Sequence, residues 1–161
     1  MSLKILLTGS SGFLGLKLTE ILSNSSNQVT GIDIKEPLKK YDNFNYVKIS
    51  INDYIRENKE DLNTYDLIIH AASVLPFKGK KDELYETNGD TSLNLIKEVS
   101  KLKDTFFIYV SSSGVYGKPL EIPVRTSTTF NPLDFYAETK ITTEKNIENY
   151  LNINNYAIIR P

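Results

Sequence analysis

The chain has 161 residues, 40% hydrophobic and 24% charged, a size and balance typical of one folded globular domain, which excludes disordered and fibrous classes. With 19 Lys and Arg against 20 Asp and Glu the net charge is −1, so no strong field gathers nucleic acid or anionic lipid, and neither is expected as a partner. Zero Cys and one His exclude a disulfide framework, a cysteine nucleophile and a histidine-cluster metal site, and no metal is expected. No apolar run approaches the ~18 residues of a membrane span, and the N-terminus lacks a signal-peptide core, so a soluble cytoplasmic protein is expected.

Leu3–Leu7 has the length and apolar character of a buried strand and leads into Thr8-Gly9-Ser10-Ser11-Gly12-Phe13-Leu14-Gly15. That glycine-rich turn opens an amphipathic helix over Phe13–Leu22. Glycines let backbone approach a pyrophosphate, and a helix N-terminus offers free N–H groups and a positive dipole end. The spacing is Gly-x-x-Gly-x-x-Gly, not the Gly-x-Gly-x-x-Gly of the usual fingerprint. A second strand, Gln28–Ile32, is followed by Asp33, 24 residues after Gly9, near the spacing at which a carboxylate accepts from a ribose 2′-OH. The pair points to a dinucleotide, and the carboxylate favours NAD because it would repel a 2′-phosphate.

Further strands are expected at Asn45–Ile49, Leu67–Ala71, Thr105–Val110 and Tyr156–Ile159, with helices at Tyr54–Leu62, Leu84–Leu102 and Phe135–Leu151. Alternating strands and helices predict an α/β fold with a doubly wound parallel sheet and ligands beyond the carboxyl ends of the strands. The fourth strand ends in His70-Ala71-Ala72-Ser73, where small side chains let a cofactor approach. His70, with no acidic neighbour in sequence, reads as a partly buried structural histidine rather than a catalyst. The fifth strand delivers Ser111, Ser112 and Ser113 to the sheet edge, ahead of an irregular loop over Ser113–Leu133 that is rich in Gly and Pro. Tyr136 and Lys140 lie four apart, hence on one helix face, where a neighbouring ammonium would favour the phenolate. About one Tyr-x-x-x-Lys is expected by chance in such a chain, so position and not spacing carries the signal.

These motifs together resemble the extended short-chain dehydrogenase/reductase superfamily, in its NAD-dependent epimerase/dehydratase branch acting on nucleotide sugars. The resemblance rests on Thr8–Gly15, Asp33, His70-Ala71-Ala72, Asn88 with Asn94-Leu95-Ile96, Ser112 ahead of Val115-Tyr116-Gly117, and Tyr136 with Lys140. It implies a Rossmann fold over residues 1–161, with NAD held by Gly9, Ser11, Gly12, Phe13, Leu14, Gly15, Asp33, Ser50, Ile51, Ala71, Ala72, Ser73, Asn88, Tyr136 and Lys140. It also implies that Tyr136 is the acid/base, that Lys140 holds the nicotinamide ribose and lowers the Tyr136 pKa, and that Ser112 bonds the reacting substrate oxygen. A homodimer through Leu84–Leu102 and Phe135–Leu151 follows from the same resemblance, with spare apolar residues on both helices.

Three departures stand out. Ser50 occupies the place of the acidic residue that often reads the adenine, and Ser113 and Gly114 replace the Asp-Glu pair of the 4,6-dehydratases, which argues against dehydration. The chain also ends at Arg160-Pro161, before the smaller substrate-binding domain usual in the family. The expected function is the NAD-binding domain of a nucleotide-sugar epimerase-like enzyme. A sugar or carbonyl reductase on the same scaffold is the nearest alternative, and a non-catalytic dinucleotide sensor, which would tend to lack the Tyr and Lys, is the more distant one.

Overall fold

The computed structural model describes residues 2–39, 41–77 and 80–161. Six strands, β1 (Lys4–Thr8), β2 (Gln28–Asp33), β3 (Phe44–Lys48), β4 (Leu67–His70), β5 (Phe106–Val110) and β6 (Tyr156–Ile159), form one sheet in the order β3-β2-β1-β4-β5-β6. Every pairing is parallel, and this order reverses direction between β1 and β4, the switch point where doubly wound sheets hold their ligands.

Strand periodicity divides the core. Leu6, Ile68 and Phe107 face one side with Leu95, Ile96 and Val99 of helix α4 (Ser92–Val99) and Ile147 of α5 (Phe135–Tyr150). The alternate residues Ile5, Leu7 and Ile69 face the other side with Leu18 and Leu22 of α1 (Phe13–Ser23). The buried positions of α1 also include Gly15, Thr19 and Ser23, a line of small residues that lets this helix lie close to the sheet.

Two helices depart from expectation. Helix α2 spans Ile51–Asn58, three residues ahead of the predicted start, because Ser50 caps it: the Ser50 hydroxyl accepts from the Asp53 N–H at 3.1 Å and donates to the Asp53 carboxylate at 2.7 Å. The expected Leu84–Leu102 helix is three pieces, α3 (Lys81–Leu84), a π-helical stretch (Tyr85–Thr91) and α4. A π-turn inserts one residue per turn and re-aims the side chains within it.

The expected spare apolar residues are the aromatics at the segment ends: Tyr85, Phe135 and Tyr150 are exposed, with the Tyr85 and Phe135 ring centres 6.3 Å apart. The exposed positions of α4 and of the middle of α5 are polar: Asn94, Lys97, Glu138, Thr142, Lys145 and Glu148. The long loop is irregular as expected, apart from a 3-10 turn over Ser113–Tyr116. Among the described residues no helix is long and apolar enough to cross a membrane, and no cluster of His, Cys, Asp and Glu could hold a metal.

Candidate active site

The glycine turn is built for close backbone approach. Gly9 sits at φ +73°, and a Cβ there would lie 2.6 Å from the Ala72 backbone. A Cβ on Gly15 would collide with the Gly9 carbonyl, so the start of α1, the turn and the end of β4 interlock only because these positions carry no side chain. The turn is pinned to β2 by Gly9 N–H donating to the Ile32 carbonyl at 2.9 Å. Gly12 is the N-cap of α1 and provides no side-chain cap, which leaves first-turn N–H groups for an external acceptor. Phe13 is 98% exposed beside them, and Leu14 is also on the surface.

Asp33, at the end of β2, accepts from Ser11 N–H and from Lys35 N–H, both at 2.9 Å. Its carboxylate thus stands at the rim of the glycine turn. Ser50, which stands where the resemblance has an adenine-reading acid, is engaged in its cap, and the side chain of Ile51, expected at the cofactor, packs in the core.

Behind the turn, His70 is fully buried and bridges Thr8 Oγ1 at 2.7 Å and Ser92 Oγ at 2.8 Å. Thr8 Oγ1 in turn accepts from Ala72 N–H at 3.3 Å. Burial pushes the His70 pKa down to about 3, with the Lys140 charge adding to the shift, so the ring is neutral and structural, as its sequence context suggested. Thr8 opens the glycine-turn motif and Ser92 follows Asp90-Thr91, and nothing local to either points to the His70 ring.

Asn88 lies in the π-helical stretch, buried. Its amide accepts from Val74 N–H at 2.8 Å and donates to the Val74 carbonyl at 2.9 Å, while Ser73 Oγ donates to its Oδ1 at 3.1 Å. Asn88 therefore clamps the segment after β4, and its side chain is committed to that backbone.

Beyond β5 the three serines separate. Ser111 is buried and donates to Glu144, Ser113 is exposed, and Ser112 is half-buried and accepts from Gly114 N–H at 3.1 Å. Asp134 caps α5 by accepting from Ala137 N–H at 2.7 Å, which fixes the turn carrying Tyr136. Burial pushes the Tyr136 pKa up, and hydrogen bonds with the Ser73 and Ser112 hydroxyls oppose that rise. Lys140 Nζ donates to the Val110 carbonyl at 2.9 Å and lies 5.5 Å from the Tyr136 ring centre. Burial pulls the Lys140 pKa down to about 8, with Glu144 acting against that fall.

Buried Glu144 and partly buried Arg160 form an ion pair at 2.7 Å that the sequence alone does not predict. Glu144 could have been found four residues after Lys140 on the same helix face, whereas nothing local points to Arg160.

A parallel sheet in this strand order, a glycine turn at its switch point, and a carboxylate ending β2 define a dinucleotide-binding Rossmann domain. The model of the NAD dependent epimerase/dehydratase family matches residues 5–161, and the chain belongs to that family. Relatives include the UDP-N-acetyl-alpha-D-glucosaminuronate decarboxylase of Bacillus cytotoxicus, 35% identical over 127 residues, covering 73% of this chain and 39% of the relative. The UDP-glucose 4-epimerase of Lactobacillus helveticus is 24% identical over 155 residues, covering 89% of this chain and 46% of its own. Among solved structures, the Bordetella bronchiseptica enzyme WbmH in complex with NAD+ superposes with a TM-score of 0.85 at 27% identity, covering 99% of this chain and 56% of that one. The UDP-glucuronic acid 4-epimerase of Bacillus cereus in complex with NAD gives 0.83 at 26%, covering 98% and 56%. This chain thus spans about half the length of the proteins it matches.

Proposed function

We propose that residues 1–161 form the NAD-binding domain of a nucleotide-sugar epimerase-like enzyme. The observation that carries the reading is the convergence of Ser112, Tyr136 and Lys140 at the carboxyl end of β5, on the same sheet edge as the Gly9–Gly15 turn and Asp33. The residues present fit NAD: the turn is a cradle that a Cβ at Gly9 or Gly15 would fill, and the Asp33 carboxylate suits a ribose diol better than a 2′-phosphate. Bound NAD supplies reversible hydride acceptance. Phe13 and Leu14 would present N–H groups to the pyrophosphate, with Gly12 shaping the turn through its own N–H, which donates to the Gly9 carbonyl at 3.0 Å, and Lys140 would hold the nicotinamide ribose.

Tyr136 moves the proton at a sugar hydroxyl, and Ser112 orients that oxygen by a hydrogen bond. Ser73, bonded to Asn88, gives the phenol a second hydroxyl neighbour. Support for an epimerase comes from the two 4-epimerases named above and from Ser113 and Gly114, which supply no acid pair for elimination. Self-pairing through the segments Leu84–Leu102 and Phe135–Leu151 rests on the resemblance and on the exposed aromatics Tyr85, Phe135 and Tyr150.

The test has two stages. The 161-residue chain should show a thermal shift with NAD, because a ligand bound only to the folded state stabilises it by about 2.7 kcal/mol at 100 times its dissociation constant. The complete gene product should interconvert a nucleotide sugar without net reduction of NAD, as followed by NMR and absorbance at 340 nm. No shift with NAD would remove the cofactor reading, and steady absorbance growth would make the protein a dehydrogenase.

A further inference from the structure

Lys140 is 2% exposed, and its Nζ stands 2.9 Å from the Val110 carbonyl and 4.9 Å over the Tyr109 ring. An ammonium so enclosed requires an anion or it loses its proton. Glu144 lies one helical turn further along α5 and is 1% exposed. Its carboxylate accepts from Ser111 Oγ and from Arg160, whose Nε lies at 3.0 and 3.2 Å and Nη2 at 2.7 Å. Arg160 is fixed in turn: Nη1 donates to the Tyr116 hydroxyl at 2.9 Å, and the guanidinium lies 5.0 Å from the Phe130 ring centre and 5.5 Å from that of Tyr116. Lys140, Val110, Ser111, Glu144 and Arg160 thus form one continuous polar chain from the site to the end of β6.

We infer that Glu144 is a positioning residue that keeps the Lys140 ammonium charged and holds the Ser111-Ser112 strand end, and that Arg160 sets how much of the Glu144 charge Lys140 receives. The inference rests on the proposed cofactor role of Lys140, although the measurement below does not. The groups facing Lys140 are His70 from β4, Tyr109 from β5, Tyr136 and Glu144 from α5, and Arg160 behind Glu144. His70 is neutral at working pH, and burial raises both phenols. Glu144 is therefore the anion that acts on Lys140, and it opposes the burial that brings the ammonium toward neutrality. A free carboxylate there would overcompensate, and pairing with Arg160 tempers it.

The test follows the Lys140 side-chain resonances of the full chain through a pH titration by carbon and nitrogen NMR, with Lys140→Arg assigning the signal. Glu144→Gln should lower the titration midpoint by about two pH units, and Arg160→Gln should raise it, as expected for unit charges about a helical turn apart at an effective dielectric of about 20. An ion pair with no electrostatic hold on Lys140 would leave the midpoint in place in both variants. Because either single variant leaves a buried charge unpaired and can fail to fold, the double variant Glu144→Gln with Arg160→Met keeps the test decisive. It too should lower the midpoint, and an unchanged midpoint there overturns the inference. Both single variants shifting the same way would also overturn it. NAD binding is scored separately by thermal shift: a wild-type chain that does not bind NAD defeats the proposed function and leaves the effect of Glu144 on Lys140 standing.

Discussion

The Asp33 carboxylate accepts the N–H of Ser11 at 2.9 Å, so the end of β2 and the glycine turn behave as one unit. The same carboxylate that would read a ribose therefore also shapes the turn that would receive the pyrophosphate. Replacing Asp33 by Ala should cost NAD affinity twice, through the lost ribose contact and the loosened turn, while NADP loses only the second and is relieved of repulsion. Thermal shifts with NAD and NADP should differ widely in the wild-type chain and converge in Asp33→Ala. Equal shifts in the wild-type chain would show that Asp33 does not select the cofactor.

Gly9 supplies an independent check of the turn. At φ +73°, and with a Cβ placed 2.6 Å from the Ala72 backbone, Gly9→Ala pays about 1–2 kcal/mol for backbone conformation alone and must also displace the end of β4. Urea unfolding should register at least that loss, and the thermal shift with NAD should vanish. Retained stability and retained NAD response together would mean that the turn is not the phosphate cradle.

His70 makes stability depend on pH in a window that can be isolated, since it is the one histidine in the sequence. Its folded pKa of about 3 lies below the unfolded value near 6.5, so the unfolded chain binds the proton first and stability falls as pH drops through that interval. Between pH 7 and pH 5, where carboxylates contribute little, linkage gives a loss of about 2 kcal/mol. Urea unfolding at the two pH values should show it, and His70→Gln, though less stable throughout, should flatten the slope. An unchanged slope in that variant would assign the pH dependence to other groups.

Tyr136→Phe in the complete gene product should fold and bind NAD yet lose about 10² to 10⁴ in turnover, the usual contribution of a positioned acid/base. NMR of product formation measures the rate, and thermal shift measures the retained cofactor binding. Near-normal turnover would remove the phenol from the chemistry.

Most of the frame was legible in the chain itself. Apolar runs such as Leu3–Leu7 and Leu67–Ala71 mark buried parallel strands, because strands covered on both faces tolerate little else. The glycine spacing from Gly9 to Gly15 and the position of Asp33 depend on neighbours close in sequence, which is why local pattern sufficed. Tertiary structure alone decided which polar groups meet. The π-helical turn that places Asn88 against Val74 depends on the packing of α3 and α4 on α5, where the Asn88 carbonyl accepts from Thr143 at 2.8 Å. The pairing of Glu144 with Arg160 joins α5 to the end of β6, and the bond from Thr8 to His70 crosses 62 residues of sequence. Such contacts carry no periodicity, since each is set by the register of adjacent parallel strands and by burial that forces every enclosed polar group to find a partner.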